Sequence, residues 1–111
     1  MGRPLPKDHK HTISLPDAAK ATKRQRKEKD PKKKGMEHPY AFRREPVDEI
    51  LSQPRCVGLR FYPCLHEDGR PSVVVVGVDE EGNDMTMGTL IDEAMVCPPY
   101  CSDGNELNSD S

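Results

Sequence analysis

Tryptophan is absent from this 111-residue chain, and only two phenylalanines and three tyrosines are present. A large aromatic core is therefore excluded. Long apolar runs are missing as well: the longest is VVVV at positions 73–76, far short of the roughly 20 residues that a membrane-spanning helix needs. The opening MGRPLPKDHKHTISLPDAAK has charge and proline where a secretory leader requires an apolar segment. Gly2 is not followed by the Ser or Thr at position 6 that N-myristoylation expects. The chain thus reads as cytoplasmic, without membrane attachment, in a compartment where thiols are reduced or metal-bound. No phosphate-binding loop, G-x-S-x-G or H-E-x-x-H signature occurs, so no residue pattern argues for an enzyme.

What apolar content exists is concentrated. Leu, Ile, Val and Phe number 20, and 15 of them fall within residues 45–101. That span reads as one small domain, preceded by a basic arm and linker at 1–44 and followed by a disordered acidic tail at 102–111. A unit of about 60 residues buries only about 60% of its unfolded surface and often needs a metal, a disulfide or a partner. The net charge of −2 conceals an uneven distribution: residues 1–34 carry 12 Lys/Arg against four Asp/Glu, and the remainder is correspondingly acidic. The arm suits a polyanion, the acidic domain of the same chain, or that of a second copy.

Within the arm, SLPDAAKATKRQRKEKD predicts a helix. Ser14 and Asp17 fit a capping box, Pro16 suits a first turn, and Pro31 stops the run. Lys20, Lys23, Arg24 and Lys27 recur at i, i+3, i+4 and i+7, a basic stripe that makes residues 20–34 the candidate nucleic-acid-binding segment. EPVDEILSQP predicts a short helix with Val47, Ile50 and Leu51 on one face. Two strands, CVGLRFYPCL and SVVVVGVD, flank Asp68-Gly69, the sequence of a two-residue type I′ turn. That turn would oppose Leu65 with Ser72, Phe61 with Val76 and Leu59 with Val78, putting Val74, Val76 and Val78 under the helix. Residues 87–97 supply a third strand with a break at Asp92-Glu93. The expected fold is α+β, a short helix packed on a small antiparallel sheet of about three strands.

Four cysteines, at 56, 64, 97 and 101, invite a metal, a disulfide, redox chemistry or plain burial. Cys56 and Cys64 share a strand and lie about 26 Å apart if it is straight, at roughly 3.3 Å per residue. Zinc ligands must converge within a few ångströms. In an up-down-up meander, Cys64, His66, Cys97 and Cys101 would meet at one end, which makes zinc the alternative to having no cofactor. CPPYC is one residue longer than the redox C-x-x-C spacing. Asp79, Glu80, Glu81 and Asp84, with Asp92 and Glu93, read as solvated turns; the glycine of DEEGND comes too early for an EF-hand loop.

At QPRCVGLRFY, VVVVGVDEEGNDM and CPPYC the chain resembles a group of small uncharacterised bacterial proteins with the pattern QPGCVGLR, VGVD-GNDM and CPP-C. The resemblance covers roughly residues 45–101 and implies no activity. It places a glycine where this chain has Arg55, lacks Cys64, and so shifts interest to Cys56, Cys97 and Cys101 as an incomplete site or a disulfide plus a free thiol. The functional expectation is a non-catalytic binding or regulatory protein, acting on a protein partner or by self-association. The alternatives are a nucleic-acid-associated protein and a cysteine-based metal or thiol-redox protein.

Overall fold

A computed structural model describes residues 2–109 and arranges them as α1 (Leu15–Lys27), β1 (Tyr40–Ala41), α2 (Arg44–Leu51), β2 (Cys56–Leu65), β3 (Pro71–Asp79), β4 (Leu90–Ile91) and β5 (Met95–Val96). The fold is α+β, with a three-stranded antiparallel sheet in the order β2-β3-β4 and a two-stranded pair of β1 with β5. Two compact units are formed. One holds residues 2–7 and Tyr40–Val96; the other holds Asp8–Pro39 and residues 97–109. Among the described residues no helix is long and apolar enough to cross a membrane.

The hairpin forms at Asp68-Gly69, but not with the expected turn. His66 N–H donates to Arg70 C=O and Gly69 N–H to His66 C=O, each at 2.9 Å. Gly69 alone in this loop has positive φ, at 88°. This is a three-residue loop, a type I turn followed by a left-handed glycine, rather than the type I′ turn that would need positive φ at Asp68 too. The register slips by one residue as a result. Phe61 faces Val75, Leu59 faces Gly77 and Cys64 faces Ser72. Since side chains alternate along a strand, the slip exchanges the two faces of β3. Val73 and Val75, not Val74, Val76 and Val78, lie under α2, where they form the core with Ile50. The same loop bonds place the even-numbered residues of β2 toward β3. Pro63, which has no N–H to give, therefore points its nitrogen away from the ladder.

A bulge between Cys56 and Gly58 re-aims the start of β2. Cys56 pairs with Asp79 and joins the helix-facing side against Ile50. Close approach there depends on Gly77, whose added Cβ would lie 3.0 Å from Cys56 Sγ, 3.1 Å from Gln53 Nε2 and 3.2 Å from Ile50 Cγ2. Gln53 joins α2 to the segment before β4, donating to Ile50 C=O at 2.9 Å and accepting from Thr89 N–H at 2.9 Å. The third strand is divided. β4 pairs with β3, and after the break at Asp92-Glu93 β5 pairs with β1.

The second face of β3 is also covered. Val76 and Val78 are buried, and Leu5 from residues 2–7 lies against Gly58. At its rim, Asp84 accepts from Arg60 Nη1 at 2.6 Å and from the Tyr62 hydroxyl. The Tyr62 hydrogen bond, opposed by partial desolvation and reinforced by Arg60, holds the Asp84 carboxyl below its ordinary range. This acid is therefore engaged in the fold rather than solvated. Arg55, in the turn before β2, has φ of 74° and pairs with Glu81 at 2.9 Å and Glu80 at 3.8 Å. A left-handed conformation at a residue with a Cβ is strained by about 1–2 kcal/mol.

Three substitutions test this architecture by denaturant unfolding. Gly77→Ala should destabilise by about 1–3 kcal/mol, the usual range for overpacking a close contact. Arg55→Gly should be neutral to stabilising, because relief of backbone strain outweighs an exposed ion pair worth about 0.2–1 kcal/mol. Asp84→Asn should cost about 1 kcal/mol at neutral pH. A depressed folded pKa gives stability that is complete above the unfolded carboxylate value of about 3.9 and is lost as pH falls through the folded value. The gap between wild type and Asp84→Asn should accordingly hold constant at neutral pH and close below about pH 4.

Candidate metal centre

At the hairpin end of the sheet, three side chains from distant positions converge. Cys64 sits near the end of β2, His66 starts the loop, and Asp92 follows β4 where the third strand breaks. The slipped register opposes Cys64 to Ser72, so both lie on the same face. Pairing of β4 with β3 through Val75–Ile91 and Val76–Leu90 brings Asp92 alongside them. The Cys64 thiol, a His66 ring nitrogen and an Asp92 carboxylate oxygen all fall within 4.8 Å of one another.

The distances suit a shared cation. Asp92 Oδ1 lies 3.5 Å from His66 Nε2 and 3.7 Å from Cys64 Sγ. With zinc bonds of about 2.0–2.3 Å, a tetrahedron sets its ligand atoms roughly 3.5 Å apart. His66 is fixed at both of its backbone groups by the loop, and its side chain is 19% exposed. Its Nε2 atom is buried without a hydrogen-bond partner. Such an orphaned atom is costly unless something binds it. Glu93, held at φ 57°, brings Oε1 to 3.8 Å from the same nitrogen, while its other oxygen lies 3.6 Å from Arg70 Nη1.

Around these groups is a supporting shell. The buried Ser72 donates from Oγ to Asp92 Oδ1 at 3.0 Å and accepts from Ala94 N–H at 3.3 Å. Desolvation raises Asp92, but hydrogen bonds from Glu93 N–H and Ser72, with His66 and Cys64 adding to them, leave its carboxyl below the ordinary range. The Cys64 thiol is pushed up, first by desolvation and then by the Asp92 charge. Without a cation at the site this thiol is protonated and a poor nucleophile. A Cys, His and carboxylate donor set is that of zinc and neighbouring divalent metals, and these residues fit it.

The other cysteines are placed differently. Cys97 and Cys101 are joined in a disulfide, which leaves neither thiol to ligate, and they belong to the other unit. Cys56 is a free thiol whose Sγ contacts Gly58 C=O at 3.3 Å and packs against the core. Of the ligands expected from sequence, then, Cys64 and His66 come together and Cys56, Cys97 and Cys101 do not join them. Asp92 and its anchor Ser72 were not expected. The acid was read as part of a solvated turn, and the one available signal was its position at the strand break. Compared with known protein families, curated proteins and solved structures, the chain matches none.

Proposed function

We propose that this chain is a small non-catalytic binding protein whose sheet unit is completed by one zinc ion held by Cys64, His66 and Asp92. The observation that carries this reading is the buried Nε2 of His66, which has no hydrogen-bond partner and faces Asp92 at 3.5 Å with Cys64 alongside. Glu93 or a water molecule supplies the fourth position. Two anionic donors, a thiolate and a carboxylate, balance the charge of a divalent ion, and Ser72 orients the carboxylate as outer-shell partners do. The benefit is structural. Among the described residues, the buried apolar core of this unit is Ile50 and four valines, and a cation joining the hairpin end to the strand after β4 offsets that shortage.

The test is uptake and spectroscopy on the intact chain. Zinc should bind at one equivalent and raise the free energy of unfolding, by about 2.7 kcal/mol at 100 times Kd. Cobalt should give a tetrahedral visible spectrum with a sulfur-to-metal charge-transfer band. Cys64→Ser should abolish that band, and His66→Ala and Asp92→Asn should each weaken affinity at least tenfold. Cys56→Ser should change neither. Absence of saturable uptake at one equivalent, or a charge-transfer band that survives Cys64→Ser, overturns the assignment.

A further inference from the structure

The second unit presents a surface that the metal site does not involve. Helix α1 is capped by Ser14, whose Oγ accepts from Asp17 N–H at 3.2 Å, and carries no buried residue. Gln25 and Arg26 tether one side of it. Gln25 accepts from Gly35 N–H and donates to Met36 C=O, each at 2.8 Å. Arg26 reaches Leu107 C=O at 2.7 Å and Ser109 C=O at 3.4 Å. Ala18, Ala19, Thr22, Gln25 and Arg26 are the half-buried positions of the helix. At 100° per residue they centre on the side of the helix opposite Lys20, Lys23, Arg24 and Lys27, all four of which are exposed. The packing of this unit thus turns the cationic stripe outward. An open cleft of about 340 Å³ lined by Ala21, Arg24, Gln25, Glu28 and Lys33 brings a further cation beside Arg24. Lys33 is placed there by the turn in which the Lys33 and Lys34 N–H groups donate to Asp30 C=O at 3.0 and 3.2 Å.

We propose that the outer face of α1 binds the phosphate backbone of duplex nucleic acid without reading sequence. Seven steps of 1.5 Å from Lys20 to Lys27 make the stripe about 10 Å long. A duplex offers one phosphate per about 1.7 Å of axis, so several phosphates lie within its span. The helix has no aromatic residue on which unpaired bases would stack, which disfavours single strands. Apart from Leu15 in the first turn, the tethered face has Ala18, Ala19, Thr22 and Gln25 where a membrane-surface helix would need large apolar side chains. Lys20, Lys23 and Arg24 are the minimal contact set.

Fluorescence anisotropy of a labelled mixed-sequence duplex with the full chain tests this. With three phosphate contacts, log affinity should fall with log salt at a slope of about −2.7, a loss of about 40-fold between 50 and 200 mM. Arg24→Glu should reduce the slope by about one. The combined Lys20→Glu, Lys23→Glu, Arg24→Glu variant should lose binding more than tenfold while keeping its circular dichroism, and the charge-preserving Lys20→Arg, Lys23→Arg, Arg24→Lys variant should retain it. Salt-independent binding, an unaffected charge-reversal variant, or tighter binding to anionic phosphatidylserine vesicles than to the duplex would overturn the proposal.

Discussion

Gly69 adopts a left-handed backbone and closes a three-residue loop, and the pairing of β2 with β3 follows from that closure. A strand register is a discrete quantity, because a slip of one residue moves every side chain to the opposite face. At the register observed, Val73 and Val75 reach Ile50, Gly77 admits the end of α2, and Cys64 stands across from Ser72. The alternative register would turn Val74, Val76 and Val78 toward the helix and separate Gly77 from the contact that requires a missing side chain. One loop conformation therefore sets both the apolar core and the position of the candidate metal ligands.

Little apolar surface is available to hold this sheet. The second face of β3 is closed by Leu5 from the chain's beginning and by the Arg60–Asp84–Tyr62 cluster, so polar groups contribute where hydrocarbon is scarce. Hydrogen bonds to a charged group are worth more than neutral ones when partly shielded from water. Asp84 and Asp92 both meet that description: Tyr62 and Arg60 hold the Asp84 carboxyl below its ordinary range, and, against desolvation, the Glu93 N–H and Ser72 do the same for Asp92. The proposed zinc extends the same device: a dense local charge binds segments that a small core cannot.

The second unit works by a different economy. No residue of α1 is buried, and the helix is held by side-chain amide and guanidinium bonds to backbone carbonyls of the linker and the tail. These bonds use Gln25 and Arg26 and spend none of Lys20, Lys23 or Arg24. Orientation of the stripe is thereby a consequence of which face is tethered, not of charge alone.

Local patterns in the chain were sufficient for both helices, for the existence of the hairpin, for the centrality of β3 and for the interruption at Asp92-Glu93, because each depends on near-neighbour rules: capping at Ser14, alternation through the valines, a glycine in the turn. The basic stripe was equally legible from its i, i+3, i+4, i+7 spacing. Tertiary structure alone decided the register, since Asp-Gly suits a two-residue and a three-residue loop alike, which differ in their hydrogen bonds and in the φ of Asp68. It also decided the fate of the cysteines. Cys97 and Cys101 are close enough in sequence to bond to each other, whereas Cys64 and His66 are completed by an aspartate 26 residues further along from His66. Beyond its position at the strand break, nothing local marks Asp92 as a ligand. It becomes one through β4 pairing with β3 and through the Ser72 hydroxyl, contacts between residues remote in sequence that no spacing along the chain encodes.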